Sequence, residues 1–296
     1  VPRFTREQVR RRRQIAAAIV VVVALVLVGG CTRLVIGALS GGDDETAASV
    51  PVPYTADDAA MTVPATAHDA AALAQLPGDL ELGEDEVLGV DVSAHQGEID
   101  WQAVAGDGIG FAYIKATEGA GFTDSRFAEN WSGARAAGVT PGAYHYFTLC
   151  SPGADQARDF LAAAPPDDAA LPPALDLEFD GACEERPSAE DAQHEIDAFT
   201  AAIEKAWGRR LVIYSSSDWR RHYGLPVTDA RPDWLFSDSG RPDQEDWSLW
   251  QLRFDGKVAG IDGRVDMDVA RIESLREHAE IADGEGALTH APAAEG

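Results

Sequence analysis

The 296-residue sequence predicts an α/β domain over residues 87–275, with parallel strands closed into a barrel. Three observations predict it. Short apolar runs alternate with amphipathic ones over about 190 residues, the pattern of strand–helix–strand crossovers. Polar and charged residues recur at the ends of the apolar runs, where the active sites of such barrels form. The last runs follow one another with little helix between them, which suits a closed barrel better than an open sheet.

Leu88–Ser93, Phe111–Ala116, Gly142–Phe147, Ala174–Glu178 and Leu211–Ser215 read as short, mostly buried strands. Trp234–Phe236 and Leu249–Leu252 read as later ones. Helices are expected at Asp124–Ala137, where Phe127, Trp131 and Ala134 recur at helical spacing, and at Ser188–Trp207, where Ile196, Phe199 and Ile203 do. The second opens on Ser188 with Asp191 three residues on, a capping-box start. At the strand ends stand Asp91, Lys115, Tyr144, His145, Tyr146, Asp176, Glu178 and Tyr214. Trp250, Gln251 and Asp266 come later in the chain. Charged residues rarely sit in buried strands without a reason, and one shared pocket accounts for all of them.

Outside this domain the chain is organised differently. Residues 1–14 form a basic segment ending in Arg10–Arg13, followed over 15–39 by an apolar stretch that reads as a transmembrane signal anchor. The arginines hold the start of the chain in the cytoplasm and direct the residues beyond the anchor outward, giving a folded domain tethered at the cell membrane. Small residues before Cys31 permit a lipoprotein signal ending there as the alternative, and cleaved secretion is a third. Residues 40–86, rich in Ala, Asp, Pro and Thr without apolar period, read as a flexible linker, and 276–296 as an acidic Ala/Glu-rich tail.

The net charge of −26 argues against nucleic acid as a partner, because phosphate backbones are bound by Lys/Arg surfaces. In an exported domain a Cys150–Cys183 disulfide is allowed, and a pair of inert thiols is the alternative. Their spacing suits no metal motif.

The most informative stretch is Leu175-Asp176-Leu177-Glu178-Phe179. Residues i and i+2 of a strand share a face, so Asp176 and Glu178 project together, roughly 6.5–7 Å apart along the backbone. Two sheltered neighbouring carboxylates do not both ionise easily, which leaves an acid beside an ionised partner. Glycoside hydrolysis needs that pair. Asp91, His95 and His145 with a further carboxylate offer a zinc reading, but compact H-x-x-x-H or H-E-x-x-H spacing is absent. No metal or other cofactor is expected.

Asp91-Val92-Ser93-Ala94-His95-Gln96-Gly97, running through Ile99-Asp100-Trp101 to Tyr113-Ile114-Lys115-Ala116-Thr117-Glu118-Gly119, resembles the amino-terminal signature of the glycoside hydrolase family 25 lysozymes, the Chalaropsis-type muramidases. Gly142–Phe147, Ala174–Glu178, Ile213–Ser215, Trp250-Gln251 and Val265–Val269 resemble later strands of that family. The resemblance implies a flattened, TIM-like (β/α)5β3 barrel, acting as a monomer on peptidoglycan glycan strands. It implies cleavage of the β-1,4 bond between N-acetylmuramic acid and N-acetylglucosamine. Glu178 would be the general acid/base. Asp176 would be either the nucleophile or the group that steadies the substrate's own acetamido. Asp91 and Asp266 would complete an acidic floor, and Tyr144, Tyr146, Tyr214 and Trp250 would pack against sugar faces. Lys115 would be a sugar ligand or a structural partner of Glu118, and His145 a structural histidine.

Overall fold

The computed structural model describes residues 60–281, apart from 79, 180, 182, 225–230 and 245–246. In chain order, β1 (Glu86–Val92) leads through α1 (Trp101–Gly106) to β2 (Phe111–Glu118) and the two-residue β3 (Phe122–Thr123). Then come α2 (Phe127–Ala136), β4 (Thr140–Tyr146), α3 (Gly153–Ala163), β5 (Ala174–Leu177), α4 (Ala189–Trp207), β6 (Val212–Ser215) and α5 (Ser217–Tyr223). Three strands with no helix between them come next: β7 (Asp233–Phe236), β8 (Leu249–Gly256) and β9 (Val265–Arg271), before α6 (Ile272–Ala279). The sheet runs β1-β9-β8-β7-β6-β5-β4-β2-β3, and pairing of β1 with β2 closes it. Among the described residues this is an eight-stranded barrel with β3 appended. Pairing is parallel from β1 round to β8 and antiparallel at β8–β9 and β9–β1. Five strands followed by helices and then three without make up the (β/α)5β3 order.

Strand alternation builds two apolar layers. Leu88, Val90 and Val92 of β1, Ile114 of β2, Leu175 and Leu177 of β5 and Ile213 of β6 pack with helix residues such as Trp131, Phe160, Phe199 and Ile203. The alternate positions fill the barrel with Val87, Phe111, Tyr113, Ala174, Val212, Tyr214, Trp234 and Leu249. Gly89 makes this possible, because a Cβ there would fall inside the Phe111 ring. Ser188 caps α4 by accepting from Asp191 N at 3.1 Å, and Gly208, at φ 63°, ends the helix in the left-handed region.

Two boundaries differ from the sequence reading. Residues 60–86, read as linker, lie against the barrel. Ala71–Gln75 form a 3-10 helix and bury Ala72 and Leu76 in the core. Thr66 Oγ1 donates to Gly108 O at 3.1 Å and accepts from Leu88 N at 2.9 Å, while Thr140 Oγ1 donates to Thr62 O at 2.6 Å. These are one-off contacts with no period, so composition alone hides them. The tail likewise starts later than residue 276. α6 runs to Ala279, which is buried and accepts from Arg210 N at 2.8 Å. The basic segment 1–14, the apolar stretch 15–39 with Cys31, and the linker up to residue 59 fall outside the described residues. Among the described residues no helix is long and apolar enough to cross a membrane.

Candidate active site

The polar groups that enter the barrel gather at the carboxyl ends of its strands. β5 points Ala174 inward, Leu175 outward and Asp176 inward, and Glu178 lies on the same side as Asp176. Asp176 shares a hydrogen bond with Glu178. Its register neighbours are Tyr146 on β4 and Tyr214 on β6. On the opposite wall the antiparallel register sets Asp91 of β1 directly across from Asp266 of β9, and Gly89 across from Asp268. Gln251 of β8 donates from Nε2 to Asp91 Oδ2 at 2.9 Å. Trp234 of β7 donates from Nε1 to Asp268 Oδ1 at 3.0 Å.

Burial dominates the electrostatics. Asp176 is held well above the usual carboxylate range by its loss of water and then by the charge of Glu178; Lys115 opposes this. Asp91 is pushed up by burial and then by Asp268 and Asp266, against the hydrogen bond from Gln251. Asp268, fully buried, is pushed up by burial and then by Asp266, against its hydrogen bonds with Trp234 and Asp91. Asp266 is raised to about 6, by burial. Asp91, Asp176 and Asp268 therefore all hold their protons more tightly than free carboxyls do. The Tyr144 and Tyr214 hydroxyls are also pushed up, chiefly by burial and then by these carboxylates, so both stay protonated as donors.

The structure thus brings together Asp91, Asp176, Glu178, Asp266, Tyr144, Tyr146 and Tyr214. Lys115 enters the same region with its Nζ 2.6 Å from Glu118 and 4.7 Å from the centre of the Tyr146 ring. Trp250 does not join them. Its side chain is fully buried in the layer between barrel and helices, edge-on to Trp247, and its Nε1 donates to Ser237 O at 2.7 Å. The expected sugar contact is corrected for this residue. Alternation along β8 sends Gln251 inward and Trp250 outward.

His145 also faces the helices. It is fully buried, stacked on Phe199, and bonded through Nδ1 to Thr117 Oγ1 at 2.7 Å and through Nε2 to Gln156 Oε1 at 2.9 Å. Burial lowers its imidazole to about 4, so it is neutral and structural. Asp91, His95 and His145 do not converge, and among the described residues no trio of His, Cys, Asp or Glu is placed to hold a metal.

Sequence reasoning missed the inward role of Trp234, and for Asp268 it left open both a place beside Asp266 and a solvated one. The signal for Asp268 was present: Asp266-x-Asp268 repeats the i, i+2 spacing of Asp176-x-Glu178. Cys150 and Cys183 form a disulfide with a Cα–Cα distance of 5.8 Å, joining the segments after β4 and β5. Cys183 lines a shallow, open depression beside Glu178, with Glu118, Tyr146, Phe179 and Arg186 among its walls.

The chain is similar in sequence and fold to known proteins. The profile of Glycosyl hydrolases family 25 matches residues 90–261. The uncharacterized protein YegX of Escherichia coli is 35% identical over 191 residues, covering 62% of this chain and 69% of its own. Lysozyme M1 of Streptomyces globisporus is 31% identical over 204 residues, covering 61% and 66%. The structure of a family 25 glycosyl hydrolase from Bacillus anthracis superposes with a TM-score of 0.59 at 32% identity, over 64% of this chain and 91% of that one. With a closed barrel, a hydrogen-bonded carboxyl pair at its mouth and a profile match over most of the folded domain, the chain belongs to glycosyl hydrolases family 25.

Proposed function

We propose that the chain is a peptidoglycan hydrolase of the lysozyme type, cutting the β-1,4 bond after N-acetylmuramic acid with Glu178 as general acid/base. One observation carries the assignment of roles: Asp176 and Glu178 stand side by side, both part-buried, and Glu178 is the one that lines an open depression. Burial and the neighbouring charge favour keeping a proton on this pair. Glu178 is the member with access to a glycosidic oxygen, and it delivers that proton to the leaving group. As positive charge develops at the sugar, the ionised form of Asp176 is stabilised. Asp176 then faces that charge as an anion, either as nucleophile or by holding the acetamido group that attacks. Asp91, Asp266 and Asp268 supply further negative potential below, and the Tyr144 and Tyr214 hydroxyls supply donors.

The rest of the reading concerns place. The apolar stretch 15–39 tethers the domain outside the cytoplasmic membrane, and the chain between it and the barrel sets its reach into the wall. The domain works as a monomer. Glu178→Gln is expected to lower wall lysis by about 10²–10⁴-fold without shifting the unfolding midpoint. Mass spectrometry of the digest should show reducing-end N-acetylmuramic acid. Unchanged lysis in the variant, or cleavage at another bond, overturns the assignment. Binding to peptidoglycan without new reducing ends in the unsubstituted chain would identify a wall-binding module instead.

A further inference from the structure

Arg186 has no place in the roles above, yet it lines the same depression as Glu178. It lies three residues beyond Cys183, whose disulfide to Cys150 ties this segment to the one after β4. Its guanidinium stacks on Phe179 with 4.0 Å to the ring centre. Nη1 donates to the carbonyls of Cys183 at 3.0 Å and Glu185 at 2.7 Å, and Nη2 donates to the carbonyl of Phe179 at 3.3 Å. Three of five N–H groups are thereby used, all on neutral acceptors. The remaining two, Nε–H and one Nη2–H, belong to the fork that matches a carboxylate. Among the described residues Arg186 forms no ion pair. Lys115, the other cation at this end, is engaged by Glu118. Arg186 is thus a preordered guanidinium without a carboxylate partner, set beside the general acid.

We infer that Arg186 forms a subsite for a carboxylate carried by the glycan strand next to the bond that is cut. This rests on the hydrolase reading. Peptidoglycan offers two carboxylate sources: the acidic side chains and terminus of a stem peptide, or the lactyl group of muramic acid where the peptide has been removed. Both have the same chemistry at the guanidinium, and both anchor the strand from a part of the substrate that does not react. Such contacts lower KM with little change in kcat.

The test compares the full chain with Arg186→Gln and Arg186→Lys on three substrates. Intact sacculi carry stem-peptide carboxylates. Amidase-stripped strands carry free lactyl carboxylates. Stripped strands converted to methylamides carry neither. Arg186→Gln should raise KM about tenfold on one or both carboxylate-bearing substrates, with kcat within about twofold. A rise on sacculi alone names the stem peptide, and a rise on stripped strands alone names the lactyl group. Arg186→Lys, with charge but no fork, should fall between. Equal KM on all substrates, or an equal rise on the methylamide strands, overturns the subsite.

If Arg186→Gln loosens the segment, the unsubstituted chain still decides. Raising salt from about 0.05 to 0.5 M should raise KM only where carboxylates are present, and a rise shared by the methylamide strands counts against the subsite. Failure to cleave any strand would sink the hydrolase reading separately. Calorimetry with a disaccharide-peptide then tests the subsite alone: affinity should be about tenfold weaker in Arg186→Gln, and equal affinity rejects it.

Discussion

Replacing Asp266 with Asn should make the protein more stable and less active, with a pH dependence that identifies the cause. In the unfolded chain this carboxyl releases its proton near 3.8, whereas in the barrel it keeps it to about 6. Folding therefore takes up a proton between those two values, and stability falls by about 1.4 kcal/mol per pH unit across the window. Above pH 6 the whole cost remains, at most about 3 kcal/mol; the side chain is only part-buried, so solvent screening makes this a ceiling. Asn at this position carries no charge to desolvate. It also removes one of the charges that push Asp91 and Asp268 up.

Asp266→Asn should thus match the parent below about pH 4, gain steadily to pH 6, and hold a gain of up to about 3 kcal/mol at pH 7, or about 6–12 °C in unfolding midpoint for a domain of this size. Urea or thermal unfolding of both proteins at half-unit steps from about pH 3.5 to 8 measures it. Turnover on sacculi should drop in the same variant, because negative potential under the sugar is lost. A stability difference that is flat with pH, or a loss that grows with pH, would refute the account of Asp266 as a carboxylate held in the barrel against its solvation.

Two other perturbations have expected outcomes. Opening the Cys150–Cys183 bridge, by Cys150→Ser with Cys183→Ser, should cost about 3–4 kcal/mol for a sequence separation of 33, and should raise KM through Cys183's place in the depression; unfolding midpoints and steady-state kinetics check both. The imidazole of His145 should titrate near 4 by NMR, and since the unfolded value is 6.5, its contribution of up to about 3 kcal/mol is present above pH 6.5 and lost as pH falls to 4; titration near 6.5 would mean that the ring meets water.

Much of this site was legible in the residues. Strand alternation over Ala174–Leu177 turns Asp176 inward, and Glu178, one residue past the strand end, continues the i, i+2 spacing. The outward faces of Leu175 and Leu177 arise for the same reason, and the start of α4 at Ser188 was equally readable from its capping side chain. Trp250-Gln251 was not resolved by the same reasoning. Alternation says that only one of the two faces inward, and a slip of one residue exchanges them. The register of β8 against β9, with Trp250 paired to Val269 and Gln251 to Asp268, decides it. Arg186 was invisible for another reason: its significance lies in stacking on Phe179 and in the carbonyls around it, neither of which leaves a spacing pattern. The stretch 60–86 was misread because it packs by isolated contacts with no repeating face.

The sequence by itself indicated the order of the main strands, two of the helices, a candidate acid pair and the class of chemistry, because these depend on neighbours a few residues apart. Tertiary structure alone decided how acidic the pocket is and which protons it keeps. Closure of β1 onto β9 sets Asp91 against Asp266, and the barrel brings Gln251 to Asp91 across 160 positions of chain. Whether a carboxyl ionises depends on how much water the surrounding chain removes and which other charges it brings near, and those are properties of the closed barrel rather than of any segment within it.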